Sequence, residues 1–274
     1  MTASENQWEG SGGDYALTWG GRHWALKIDE ADPGLRCNVG PWSARLLSLH
    51  GIAAIGRFED EVFSAAALVG VEHYRSRVQA TFAPQGWGGL IVRAAWSPSC
   101  GGAGVDLEVQ ASASSVGVLH DLEVMVQSQW ERRDGLELST HLGRRVEARD
   151  ARSAALSYDG RETESELSSL VTLAVTGSPR PRTFTPPGAD DALTYIELVQ
   201  PNDAARQIQL EPSAPQLPYL DSLAFQYGLF GHDFEKGVVF RARLRGYWTS
   251  SKTNAHDLSL LYKQFVNEPP PLGP

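Results

Sequence analysis

The chain has 274 residues, long enough for one large sandwich or barrel with a well-buried core. Its 27 Gly, 16 Pro and 8 Trp, in a chain that is 42% hydrophobic, exclude collagen-like and wholly disordered classes. A net charge of −9 argues against binding a nucleic-acid backbone, and the two cysteines, Cys37 and Cys100, form neither a CxxC pair nor a zinc pattern.

Residues 1–20 carry no basic start followed by an apolar run, so they read as a flexible lead-in and not as a secretory leader. From there the dominant period is two. Trp24, Leu26 and Ile28 share one face of Arg22–Asp29. In "EHYRSRVQATF", Tyr74, Val78, Ala80 and Phe82 oppose His73, Arg75, Arg77, Gln79 and Thr81. "APQGWGG" is a turn, and Leu90, Val92, Ala94 and Trp96 then alternate with Ile91, Arg93 and Ala95. After the turn "SPSCGGAG", Val105, Leu107, Val109 and Ala111 oppose Asp106, Glu108, Gln110 and Ser112, and Leu122–Trp130 repeats the pattern. One apolar and one wet face, with turns about every ten residues, predicts antiparallel sheets in a sandwich or barrel.

"ESELSSLVTLAV" begins with a helical texture and ends with a strand-like one. The Pro-rich stretch near 177–193 reads as a long loop, because strand patterns resume after it in "LTYIELVQP", "RQIQLEP" and "LAFQYGLF". "GHDFEKG" reads as a turn, and "VVFRARLRGYW" as a strand with Val238, Phe240, Ala242 and Leu244 inside. Leu258, Leu261, Tyr262 and Phe265 recur at helical spacing, with Asn254 or Asp257 as cap and the prolines from Pro269 as stop. The expected organisation is a single sandwich domain over residues 21–268, closed by a C-terminal helix, with a Pro-rich tail at 269–274.

No Walker loop, strand-linked GxGxxG, GxSxG elbow, HExxH or EF-hand loop occurs, so no cofactor and no metal are expected. Two arginine ladders stand out. Arg241, Arg243 and Arg245 share one strand face, and Arg75 and Arg77 accompany His73 on another. Arginine's fork suits a carboxylate or phosphate, yet the same ladders can pair with acidic strands such as Asp106 and Glu108. His232 can act as acid or base, with Asp233 or Glu235 as partner, or the group is the wet side of a turn. Glu197, mid-strand, is either paired across strands or a site base. Trp87, in a Gly-rich turn, is the tryptophan expected to be exposed and able to stack on a sugar. His23, His50, His120 and His256 read as single surface or packing residues.

A large antiparallel sandwich with His, Arg and Glu on a polar strand face resembles the galactose mutarotase-like β-sandwich superfamily, which includes aldose and hexose-phosphate epimerases. The resemblance implies sugar recognition, a mid-chain His acid (His141 or His120 by position) and a late Glu base (Glu235). The His-aromatic-Phe-Asn context of that acid is absent. Arg75, Arg77, Arg241 and Arg243 would hold an anionic group, as arginines do in phosphate-handling members. The expectation is therefore an all-β, galactose mutarotase-like super-sandwich that binds a sugar, acidic or phosphorylated. If it is an enzyme, acid–base chemistry would rest on Glu235, His232 and Glu197, with Arg75, Arg77, Arg241, Arg243, His73 and Trp87 binding. The alternative is a non-catalytic structural or protein-interaction sandwich with salt-bridged arginines. A cytoplasmic location, no nucleic-acid or membrane partner, and compatibility with a homodimer complete the expectation.

Overall fold

Alternating side chains bury one face of a strand, and two such sheets must meet face to face. The computed structural model describes residues 7–19, 22–99, 104–114, 117–133, 171–175, 181–186, 193–211, 222–250 and 254–269. The strands in chain order are β1 (Glu9–Ser11), β2 (Asp14–Trp19), β3 (Arg22–Lys27), β4 (Gly34–Val39), β5 (Trp42–Ala54), β6 (Arg57–Asp60), β7 (Leu68–Tyr74), β8 (Arg77–Phe82) and β9 (Leu90–Pro98). They continue as β10 (Gly104–Ala113), β11 (Val118–Arg132), β12 (Val171–Val175), β13 (Arg182–Phe184), β14 (Leu193–Val199), β15 (Ala204–Glu211), β16 (Ser222–Glu235) and β17 (Val239–Ser250). Helix α1 (Ala255–Asn267) follows.

A ten-stranded sheet runs β1-β2-β3-β4-β5-β11-β16-β15-β12, with β6 pairing β5. A seven-stranded sheet runs β13-β14-β17-β10-β9-β8-β7. One core fills the space between them, and the expected inward residues occupy it except Tyr74, which is exposed because the chain turns at Arg75–Ser76 and Val78 begins its alternation on a new strand. Trp24, Leu26, Ile28, Val78, Ala80, Phe82, Val92, Ala94 and Trp96 are fully buried there.

Asn254 caps α1 with a complete capping box, its side chain accepting from the backbone N–H groups of His256 and Asp257. Leu258, Leu261, Tyr262 and Phe265 pack on Ile196 and Leu198, so the helix lies on the outer face of the seven-stranded sheet. Asn254→Ala is expected to cost about 1 kcal/mol of stability, readable as a lower urea midpoint.

Three expectations change. Within the first twenty residues, β1 and β2 join the large sheet, and Trp8 and Tyr15 are buried. The Pro-rich stretch contributes β13, paired with β14. His232 to Glu235 stay in β16, and the turn shrinks to Lys236–Gly237 because a strand can keep pairing with β11 as far as Val118. In "ESELSSLVTLAV", Val171–Val175 is strand, and the residues before it lie outside the described residues, as do His141 and Cys100. No helix among the described residues is long and apolar enough to cross a membrane.

Candidate functional site

The structure separates the residues that the sequence suggested as catalytic. Glu235 and His232 are exposed on the end of β16. The His232 ring lies 6.1 Å from that of Phe240, and Asp233 pairs with His120 instead, at 3.1 Å. Glu197 is fully buried between the sheets. Its Oε1 accepts hydrogen bonds from the hydroxyls of Ser128 and Tyr195, the latter at 3.0 Å, and Tyr227 faces it from β16. Burial pushes its pKa up to about 7, while these hydroxyls and Arg182 pull the other way. Tyr227 and Glu235 are eight residues apart on one strand, roughly 26 Å at 3.3 Å per residue. No single substrate reaches both carboxyls.

The arginine face of β17 points at the C-terminal end of α1 and at carboxylates. Arg245 forms a fork with Asp106, Nε to Oδ1 at 2.5 Å and Nη2 to Oδ2 at 2.8 Å, and also holds Glu268. Arg243 donates to the Phe265 carbonyl at 2.6 Å, its guanidinium 4.5 Å from the Phe265 ring centre. Helix α1 has no basic residue in its last turn, so the sheet supplies the cations its C-terminal dipole favours. Arg243 and Arg245 are 6% and 7% exposed, which leaves no room for a ligand. Arg241 is exposed and sits beside Gln110.

Arg77 pairs with Glu108 at 3.2 Å, three strands from β17 in the same sheet. Arg75 occupies the β7–β8 turn with φ 28°, and His73 packs edge-on against Tyr15 at 5.3 Å. Trp87 is a correction. It is 0% exposed, with the Arg57 guanidinium 4.0 Å from the ring centre and its indole N–H donating to Glu59 at 2.9 Å. A cation already occupies the face on which a sugar was expected to stack.

A recess lies instead on the outer face of the ten-stranded sheet. The β4–β5 hairpin folds at Gly40–Pro41, which places Arg36 opposite Arg45 and Asn38 opposite Ser43. Ala25 pairs with Arg36 on one side, and Gln129 and Glu131 of β11 pair with Arg45 and Ser43 on the other. Two rows result. One is Ala25, Arg36, Arg45 and Gln129; the other contains Asn38, Ser43 and Glu131. With His23 and Cys37 they line a recess of about 510 Å³. The small Ala25 deepens it.

The arginines are held from behind. Arg36 Nη2 meets Glu30 at 2.9 Å and the Asp32 carbonyl at 3.2 Å. Arg45 Nη1 meets Asp32 Oδ2 at 2.5 Å, and His50 Nδ1 meets Asp32 Oδ1 at 3.1 Å. Asp32 reaches them from a left-handed backbone position, φ 56°, that Asp tolerates better than most residues. Burial, and then the neighbouring Arg45 charge, lower the Arg36 pKa, although Glu30 offsets part of this. Gln129 Nε2 donates to Glu131 Oε1 at 2.8 Å, fixing both side chains on the far wall. Cys37 is a free thiol pushed up to about 12 by burial, so it is not a nucleophile at neutral pH. Among the described residues no group of three or more His, Cys, Asp or Glu is placed to hold a metal ion.

Sequence reasoning missed Arg36, Arg45, Gln129 and Glu131, and treated His23 and His50 as isolated. One signal was present. A two-residue turn at Gly40–Pro41 sets residues 36 and 45 face to face.

No protein-family profile and no curated protein matches the sequence. The fold does match solved structures. The galactose mutarotase-related enzyme of Lactobacillus acidophilus aligns with a TM-score of 0.53 at 8% identity, covering 87% of this chain and 98% of that one. The GalM/aldose epimerase homologue of C. elegans aligns at 0.50 and 9% identity, covering 83% and 95%. Two antiparallel sheets around one core, with a polar recess on the larger sheet, define a super-sandwich. Its fold is galactose mutarotase-like.

Proposed function

We propose that the chain is a carbohydrate-binding protein whose site is the recess on the ten-stranded sheet. The observation that carries this reading is the recess itself. Its volume falls in the range of small-molecule sites, about 300–1,000 Å³. Its walls offer two amides, a carboxylate, an imidazole, a hydroxyl and two guanidiniums, donors and acceptors suited to ring hydroxyls. The two arginines support a sugar with a negative group, in place of the ladders on β8 and β17. Any acid–base step at a ring carbon falls to His23 and Glu131, the imidazole and the carboxylate of the lining, which take part in no ion pair among the described residues. Free Cys37 fits a reducing, cytoplasmic setting.

Saturation-transfer NMR with neutral and acidic monosaccharides tests the proposal. At least one sugar is expected to bind. Asn38→Ala and Gln129→Ala should each weaken it about 3–10-fold, the loss of one hydrogen bond, with unchanged melting. Binding that survives both substitutions would place the site elsewhere. The same spectra report exchange at the anomeric or a neighbouring carbon, and Glu131→Gln should abolish any that occurs.

A further inference from the structure

We propose that the recess selects sugars carrying a carboxylate, the uronic acids, over their neutral parents and over sugar phosphates. This inference rests on the sugar reading above and names its ligand class.

Arg36 and Arg45 lie directly opposite on adjacent antiparallel strands. Like charges in that position repel, and here Glu30 and Asp32 hold them in place. Each guanidinium has five N–H donors. Arg36 uses its terminal nitrogens on Glu30, the Asp32 carbonyl and the Leu35 carbonyl. Arg45 uses Nη1 on Asp32. Among the described residues Arg36 Nε and Arg45 Nε and Nη2 make no hydrogen bond, and both side chains line the recess. Two guanidiniums with spare donors form a fork for one planar carboxylate.

Charge decides between carboxylate and phosphate. The two arginines are outnumbered by Glu30, Asp32 and Glu131. Glu30 and Asp32 cancel the arginine charge from behind, so attraction is confined to hydrogen-bonding distance. Glu131 stands one strand beyond Arg45, opposite Ser43, and is exposed. A monoanion satisfies the fork. A phosphate ester, carrying nearly two charges above its second pKa of about 6, adds a charge that meets Glu131, and no arginine or lysine other than Arg36 and Arg45 lines the recess to offset it. Asn38, Gln129 and His23 remain for the ring hydroxyls.

Isothermal titration at pH 7.5 compares glucose, galactose and mannose with their uronates and 6-phosphates. At least one uronate should bind about tenfold or more tightly than both its neutral parent and its 6-phosphate. Glu131→Gln should narrow the gap between uronate and phosphate by about tenfold, since it removes the repelling charge and keeps the shape. Arg45→Lys keeps a cation beside Asp32 but loses the fork, and should bring the uronate down to the level of the neutral sugar. A 6-phosphate that equals its uronate on the unsubstituted protein overturns the inference. Neutral sugars binding as well as uronates overturn it too, and leave the sugar reading intact. Failure of all nine ligands overturns both.

Discussion

Arg245→Ala is expected to destabilise the fold by about 3–5 kcal/mol, the cost of leaving a buried partner charge uncompensated. Arg245 and Asp106 are directly opposite on β17 and β10, and each side chain is 8% exposed. Burial alone would lower the Arg245 pKa, but hydrogen bonds to Asp106 and Glu268 outweigh it and hold the guanidinium above its usual range. Removing the guanidinium strands Asp106 in the sheet and frees Glu268, one of the fastenings of α1. Urea denaturation measures the loss, and hydrogen exchange should show α1 amides opening more often than those of β10. The double substitution Arg245→Met with Asp106→Leu should recover most of the stability, because an apolar pair of similar volume avoids desolvating two ions. A cost for Arg245→Ala below about 1 kcal/mol, the range of exposed ion pairs, would mean that the pair is effectively solvated.

That pairing explains why the arginine ladder was only half legible. The period of two in "VVFRARLRGYW" identifies a core face and an arginine face, and Ala242 and Leu244 are indeed buried. What the arginine face meets depends on α1 returning across it, and strand periodicity carries no information about that. The helix itself was readable, since its apolar spacing and its cap are local. Glu197 was readable as a glutamate in phase with Tyr195 and Val199, but that this face is the inner one depends on its partner Ser128 and its neighbour Tyr227, which come from distant strands. The recess was least legible. Gln129 joins Arg45 through pairing of β5 with β11, and 84 residues of chain separate them. Long-range strand order is set by how the two sheets close over the core. Only the β4–β5 half of the site, closed by a two-residue turn, could be read locally. Trp87 failed for a related reason: a Gly-rich turn suggests exposure, but Arg57 and Glu59 from the β6 region cover the ring.

Glu197→Gln is expected to remove a large pH dependence of stability. The folded carboxyl has a pKa pushed from 4.5 to about 7, chiefly by burial, so it binds its proton more tightly than the unfolded chain does. Between these values the native state holds more protons than the unfolded state, and stability falls as pH rises through the window. Below about pH 4.5 both states are protonated, and above about 7 both are ionised, so the contribution levels off on either side. The loss across the window is about 3 kcal/mol. Glutamine matches the neutral carboxyl in shape and can still accept from Ser128 and Tyr195. Its amide also offers a donor at the position of Oε2, which has no partner, near the Tyr227 hydroxyl, which likewise lacks one. Urea midpoints should therefore nearly coincide for the two proteins at about pH 4. By pH 8 the glutamine protein should be more stable by about 3 kcal/mol. Glu108 and Glu123 are also raised by burial, but they are common to both proteins and cancel in the difference. Parallel stability curves from pH 5 to 8 would show that Glu197 is already ionised, its charge carried by Ser128 and the two tyrosines.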